Sequence, residues 1–152
     1  MPEAPSPPAP RLVLAFDFGL RRIGVACGDT LSRSAKPLEA VPAGSAGPQW
    51  PRIEALVREW QPGLAVVGLP YNVDGSEGPM TVAARAFAAE LGRRSGLGVE
   101  LVDERYSSLE ATSMLRERRE SGARRRRVGK ADIDAAAACV ILERWITEHS
   151  RG

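Results

Sequence analysis

The apolar positions of this chain fall into short runs and helical stripes that alternate along its length. Leu12, Val13, Leu14 and Phe16 form one unrelieved run, and Ile23 to Cys27 forms a second a few residues on. Runs of this kind mark strands buried in a sheet, and their closeness predicts a hairpin with Gly19 in the turn and Asp17 at the turn end of its first strand. Ala35, Leu38 and Val41, spaced among polar residues and prolines, predict a third antiparallel strand around 36–40. Pro37 places that strand at an exposed edge, and residues 44–48 read as a loop. Ile53, Leu56, Val57 and Trp60 recur at offsets of three, four and seven, one face of a helix with Pro51 in its first turn and Pro62 and Gly63 beyond its end.

Leu64 to Leu69 is again near-continuously apolar and predicts a doubly covered strand. It opens into G-L-P-Y-N-V-D-G-S-E-G-P-M-T, too rich in glycine and turn formers to be mostly helix. A helix beginning near Pro79 and ending near Arg94 follows, with Val82, Ala86, Phe87, Ala89 and Leu91 as its apolar positions. Val99 to Val102 is a short strand that ends at Asp103 and Glu104. Ser107 or Ser108 can cap a helix carrying Leu109, Ala111, Thr112 and Leu115. The last helix runs over about 131–148, with Ile133, Ala137, Val140, Ile141 and Trp145 at helical spacing and small residues over most of the rest. A surface so poor in long side chains suits close packing on a sheet.

A meander of three strands, then helix, strand, helix, strand and two helices, assembles into an α/β fold: a mixed five-stranded sheet flanked by helices. Strand ends in such a sheet bring distant residues into one cleft, and both Asp17 and Glu104 stand at or just after such ends. Each residue also has a plainer reading. Asp17 can cap a turn, and Asp132 and Asp134 can be favourable carboxylates at a helix start.

Composition narrows the class. A chain of 152 residues holds one ordinary domain and excludes a large bilobal enzyme. Five prolines in the first ten residues predict a disordered tail over 1–10, leaving a single domain over 11–148 and a short tail over 149–152. The net charge of +2 does not by itself demand a polyanion. Its distribution is more telling, because residues 116–127 hold seven arginines and two glutamates. Such a run reads as a solvated surface or as a phosphate-binding arm. Cys27 and Cys139 lie in apolar patterns without metal-ligand spacing, as buried thiols do. No apolar run approaches the roughly 18 residues of a membrane span, so the chain is read as soluble and cytoplasmic. His149, the one histidine, lies near the end and gives little support to histidine-dependent chemistry.

Four segments in order then carry a specific resemblance over about residues 11–147: D-F-G-L-R-R-I-G-V-A, V-V-G-L-P-Y-N-V-D-G-S-E-G-P, V-D-E-R-Y-S-S and D-I-D-A-A-A-A-C-V-I-L-E-R-W. They resemble the motifs of the bacterial Holliday-junction-resolvase-like family associated with maturation of the 5′ end of precursor 16S ribosomal RNA, within the ribonuclease H-like superfamily. The resemblance implies a ribonuclease H-like fold and a metal-dependent nuclease. Its acidic set falls on Asp17, Glu104 and Asp134 in this sequence, as catalytic residues and metal ligands. Carboxylate oxygens suit hard divalent ions, so Mg2+ is the implied cofactor with Mn2+ as substitute.

Around this set, Arg21, Arg22 and Arg105 are candidates to contact phosphate, and Asn72 either bonds the substrate backbone or holds its own loop closed. Arg124, Arg125, Arg126, Arg127 and Lys130 are candidates to gather RNA; the consecutive arginines depart from the family's more familiar glycine-, asparagine- and lysine-rich form. Asp103 lies on the opposite strand face from Glu104. Asp132 is left as an outer or capping carboxylate, Asp29 as a turn former, and Asp74 and Glu77 as loop residues. The implied partner is precursor 16S RNA or the small ribosomal subunit in assembly, with branched DNA as the alternative substrate. A noncatalytic RNA-binding maturation factor is a further alternative, a nucleotide-using enzyme is disfavoured for want of a second lobe, and an exposed helix face could support a homodimer.

Overall fold

The computed structural model describes residues 12–104 and 129–149. The expected N-terminal tail, the helix from Ser107, Arg105 and the arginine-rich segment including Arg124–Arg127 lie outside the described residues, as do residues 150–152.

Six strands form one sheet: β1 (Leu12–Asp17), β2 (Arg22–Asp29), β3 (Ser34–Gly44), β4 (Gly47–Pro48), β5 (Leu64–Leu69) and β6 (Val99–Asp103), in the order β4-β3-β2-β1-β5-β6. The β1–β2 and β2–β3 pairings are antiparallel, whereas β1–β5 and β5–β6 are parallel. Thus β1 is the seam between the meander and the βαβ addition. The expected count of five is corrected to six. β3 extends well past residue 40, and the expected loop at 44–48 folds back so that Gly47 and Pro48 pair with Gly44 and Ala43. Gly47 turns there at φ 88°, a conformation glycine adopts without a Cβ clash. Pro37 lies in the part of β3 that β4 does not cover, where its missing N–H breaks no outer ladder.

Strand alternation sorts the core into two layers. Leu14 and Phe16 of β1 join Val25, Val67 and residues of α1 (Trp50–Trp60) and α2 (Pro79–Ser95) on one face. Val13 and Ala15 join Ala26, Val66, Val102 and α3 (Lys130–His149) on the other. α1 stops at Gln61, which takes the left-handed conformation at φ 45° just before Pro62. In α2 the inward stripe is Thr81, Ala84, Phe87, Ala88 and Leu91. The expected Val82, Ala86 and Ala89 are exposed instead. Thr81 can be buried because its hydroxyl accepts from the Gly78 N–H (3.1 Å) and donates to the Pro70 carbonyl (2.6 Å), tying the loop 70–78 to the helix start. α3 continues through His149, so that residue belongs to the helix rather than to a tail. His149 stacks on Trp145.

Candidate active site

The same alternation places the acidic residues. Asp17 follows Val13 and Ala15 at a spacing of two, and Glu104 follows Val102, so both side chains belong to the face that α3 covers. A further backbone bond from the Glu104 N–H to the Leu69 carbonyl (3.1 Å) carries the β5–β6 pairing one residue beyond β6 and fixes Glu104 at the strand ends. β1 and β6 are not neighbours, since β5 runs between them. Two strand spacings put their backbones roughly 9–10 Å apart, yet the carboxyls of Asp17 and Glu104 share a hydrogen bond. Gly68 of β5 makes this possible. A Cβ there would crowd Ile141 Cδ1 and stand 2.7 Å from a Glu104 carboxylate oxygen, so the glycine leaves Glu104 room to lie across β5 toward Asp17.

The other flank of Asp17 is also glycine. Asp17 pairs with Gly24 in the β1–β2 register, and a Cβ on Gly24 would overlap the carbonyl oxygen of Asp134. The N-terminal part of α3 therefore rests directly on β2, and Asp134 stands beside Asp17 closely enough for its charge to raise the Asp17 pKa. Ala135 to Ala138 continue this close approach down the helix, all of them buried.

The three expected carboxylates are thus brought together, and the titration of Asp17 and Glu104 reflects it. Burial, the Asp17 hydrogen bond and the charges of Asp17 and Asp103 push Glu104 up to about 10, opposed by Arg144. Asp17 is raised by burial, with the Glu104 hydrogen bond opposing and Asp134 adding to the rise. Their shared hydrogen bond lowers Asp17 and raises Glu104, so Glu104 is its donor and Asp17 its acceptor. Asp134 is ion-paired: Arg22 Nε donates to its Oδ2 at 2.7 Å. As the side chains stand, no three His, Cys, Asp or Glu groups among the described residues are placed to hold a metal ion. The donor chemistry fits one nonetheless. The set is all oxygen, acidic and largely withdrawn from water, and in its metal-free form a proton and a guanidinium supply the balancing positive charge.

The remaining candidates divide. Arg22, a candidate for phosphate contact or an ion pair, is paired with Asp134, 112 residues away. Arg21 is exposed beside it in the β1–β2 turn, and Lys130 is exposed at the start of α3. Asn72 holds its own loop: its Nδ2 donates to Ser76 Oγ (3.0 Å) and its N–H to the Ser76 carbonyl (2.9 Å). Asp74 accepts from Ser76, Glu77 pairs with Arg85, and Asp29 accepts from the Leu31 N–H, so each has a local structural role. Asp132 accepts from the Gly129 N–H at 3.0 Å, as a helix-start carboxylate does. Cys27 and Cys139 are buried free thiols. Sequence reasoning missed Gly24, Gly68 and Arg144; a glycine on the inward face of an otherwise apolar strand is the signal that could have found the first two. Among the described residues no helix is long and apolar enough to cross a membrane.

Comparison with known proteins gives the fold and the family. Solved structures of Thermus thermophilus RuvC share the fold. The one in complex with a Holliday junction substrate superposes with a TM-score of 0.58 at 16% identity, covering 90% of this chain and 94% of that one. A second RuvC structure gives 0.54 at 16% identity over 90% and 95%. The fold is thus the α/β, ribonuclease H-like class expected. A curated protein of Nitrosococcus oceani named "Putative pre-16S rRNA nuclease" is 48% identical over 146 residues, 96% of this chain and 93% of that protein. One of the same name from Edwardsiella ictaluri is 48% identical over 142 residues, covering 93% and 99%. The family model RuvX, described as Holliday junction resolvase, matches residues 11–148. This chain belongs to the RuvX family.

Proposed function

We propose that this protein is a divalent-metal-dependent nuclease that hydrolyses a phosphodiester bond in maturing the 5′ end of precursor 16S ribosomal RNA. The observation that carries the reading is the convergence of Asp17, Glu104 and Asp134 at one end of the sheet, with Gly24 and Gly68 leaving room beside them. Asp17 sits centrally and would contribute to holding each ion, with Glu104 and Asp134 on its two sides. Bound Mg2+, or Mn2+ in its place, would neutralise phosphate charge and lower the pKa of an attacking water. The protein's own part is to keep these carboxylates dehydrated, orient them from rigid strands and a helix, and release the Glu104 proton when the site is loaded. Arg21, Lys130, Arg105 and Arg124–Arg127 would hold the RNA backbone, and Asn72 would keep the loop beside the site in one shape. The domain over 11–148 would act in the cytoplasm.

The names of the curated relatives support RNA. The family description supports a second substrate, a branched DNA junction. The deciding assay offers purified wild type and Glu104→Gln a 5′-labelled precursor 16S RNA and a labelled four-way DNA junction, with Mg2+, with Mn2+ and with chelator. A defined shorter RNA end, metal-dependent and absent in Glu104→Gln, is the expected result. Cleavage of the junction alone would transfer the reading to DNA. Binding of RNA with no cleavage under any condition would leave a noncatalytic maturation factor.

A further inference from the structure

Arg22 is set on β2 two residues before Gly24, on the face that α3 covers, and the same glycine that admits the start of α3 brings the Asp134 carboxylate to its guanidinium. The pair is partly withdrawn from water, with side-chain exposures of 33% for Arg22 and 28% for Asp134. Among the described residues the ion pair runs through Nε of Arg22, at 2.7 Å, and a third of the side chain of this residue, which begins its strand, stays exposed. Asp134 is thereby claimed by a cation of the protein itself. A guanidinium and a divalent ion repel one another, so both cannot sit at full strength on one carboxylate. Arginine is also the side chain best shaped to take two phosphate oxygens at once.

From these positions we propose that Arg22 is a positioning residue that exchanges partners: it holds Asp134 while the site is metal-free and passes to a substrate phosphate oxygen when a divalent ion takes Asp134. Metal loading and RNA capture are then coupled through one side chain. The idea rests on the reading of Asp134 as a metal-holding carboxylate.

The test measures Mn2+ binding directly, by calorimetry, for the folded wild-type protein and for Arg22→Ala, Arg22→Lys and Asp134→Asn. Removing the competitor should tighten Mn2+ binding in Arg22→Ala roughly three- to ten-fold, with Arg22→Lys between it and wild type. Binding of precursor RNA to the Mn2+-loaded Asp17→Asn background is unsuitable, because that residue belongs to the metal site, so RNA binding is measured with Ca2+ in place of Mn2+. There Arg22→Ala should bind RNA more weakly and with a salt slope smaller by about one phosphate contact. Unchanged or weaker Mn2+ binding in Arg22→Ala, with Asp134→Asn clearly impaired, overturns the exchange and leaves Arg22 a structural partner. Undiminished Mn2+ binding in Asp134→Asn overturns the underlying assignment of Asp134 instead. Tightened Mn2+ binding with unaltered RNA binding and salt slope overturns the phosphate half of the exchange.

Discussion

Replacing Asp17 by asparagine removes a charge that burial and the neighbouring Asp134 both disfavour, and leaves an amide of nearly the same shape to meet Glu104. Metal-free Asp17→Asn should therefore melt at or above the temperature of the wild type. The thermal shift on adding Mg2+ should shrink sharply, and cleavage should fall to background. Calorimetric melts with and without the ion, alongside the RNA assay, check all three. A variant that melts lower than wild type and still shows the full metal shift would contradict the central position given to Asp17. These carboxylates were legible in the sequence only in part for physical reasons. Asp17 closes an apolar run and Glu104 stands just past another, but alternation only puts Asp103 and Glu104 on opposite faces, and the family resemblance decided for Glu104. Asp134 needed it too, because a carboxylate near a helix start is equally at home as a helix-start residue, which is how Asp132 is used. The partner of Arg22 could not be read at all, since it depends on where α3 lands on β2.

At the scale of elements, the close seating of α3 on β2 is what turns three separate carboxylates into one site. Gly24→Ala places a methyl group against backbone of Asp134 rather than against a flexible side chain, so the helix start must move. The expected cost is about 1–3 kcal/mol of stability together with weakened metal binding, as for overpacked cores. Gly44→Ala, where a Cβ would meet nothing within 4 Å, is the matched control and should leave metal binding unaltered. Urea unfolding and Mn2+ titration of both variants compare the two. Equal behaviour of the pair would show that the seating is loose. On the same helix, Leu142→Ala should cost about 2–4 kcal/mol by opening the layer shared with β1 and β2, yet spare metal affinity in the protein that stays folded. Such elements were legible to different degrees. β5 emerged with its observed ends because an apolar run between Gly63 and Pro70 has few alternatives. The stripe of α2 did not, because its alanines are small on every side and carry no hydrophobic direction. A satisfied hydroxyl on Thr81 then turned that position inward at the expense of Val82. β4 was missed because two residues, one of them proline, carry no strand periodicity; their pairing follows from the turn at Gly47.

For the molecule as a whole, the protonated Glu104 links global stability to pH with a definite sign. Its carboxyl is raised from 4.5 to about 10 in the folded metal-free protein, so below pH 4.5 the native and unfolded states bind its proton alike and the stabilisation is fully present. Above 4.5 the unfolded chain releases that proton while the native state retains it, and the stabilisation drains away as pH climbs toward about 10. The raised Asp17 carboxyl acts in the same direction. Asp74 and Glu90 act oppositely, since hydrogen bonds hold them below their ordinary values and their contribution disappears as pH falls. Asp74 is exposed and Glu90 partly so, which screens the effect, and it belongs to the acid side of the window. The metal-free protein should thus show a melting temperature that declines from mildly acid to alkaline pH. Divalent ions need the carboxylates ionised, so the stabilisation conferred by Mg2+ should grow over the same range and offset the decline. Paired melts with Mg2+ and with chelator, taken from the acid to the alkaline end of that window, separate the two curves. They should converge at low pH and part at high pH. Parallel curves, or a metal-free protein that gains stability as pH rises, would mean that the proton on Glu104 and the metal do not contend for one cluster.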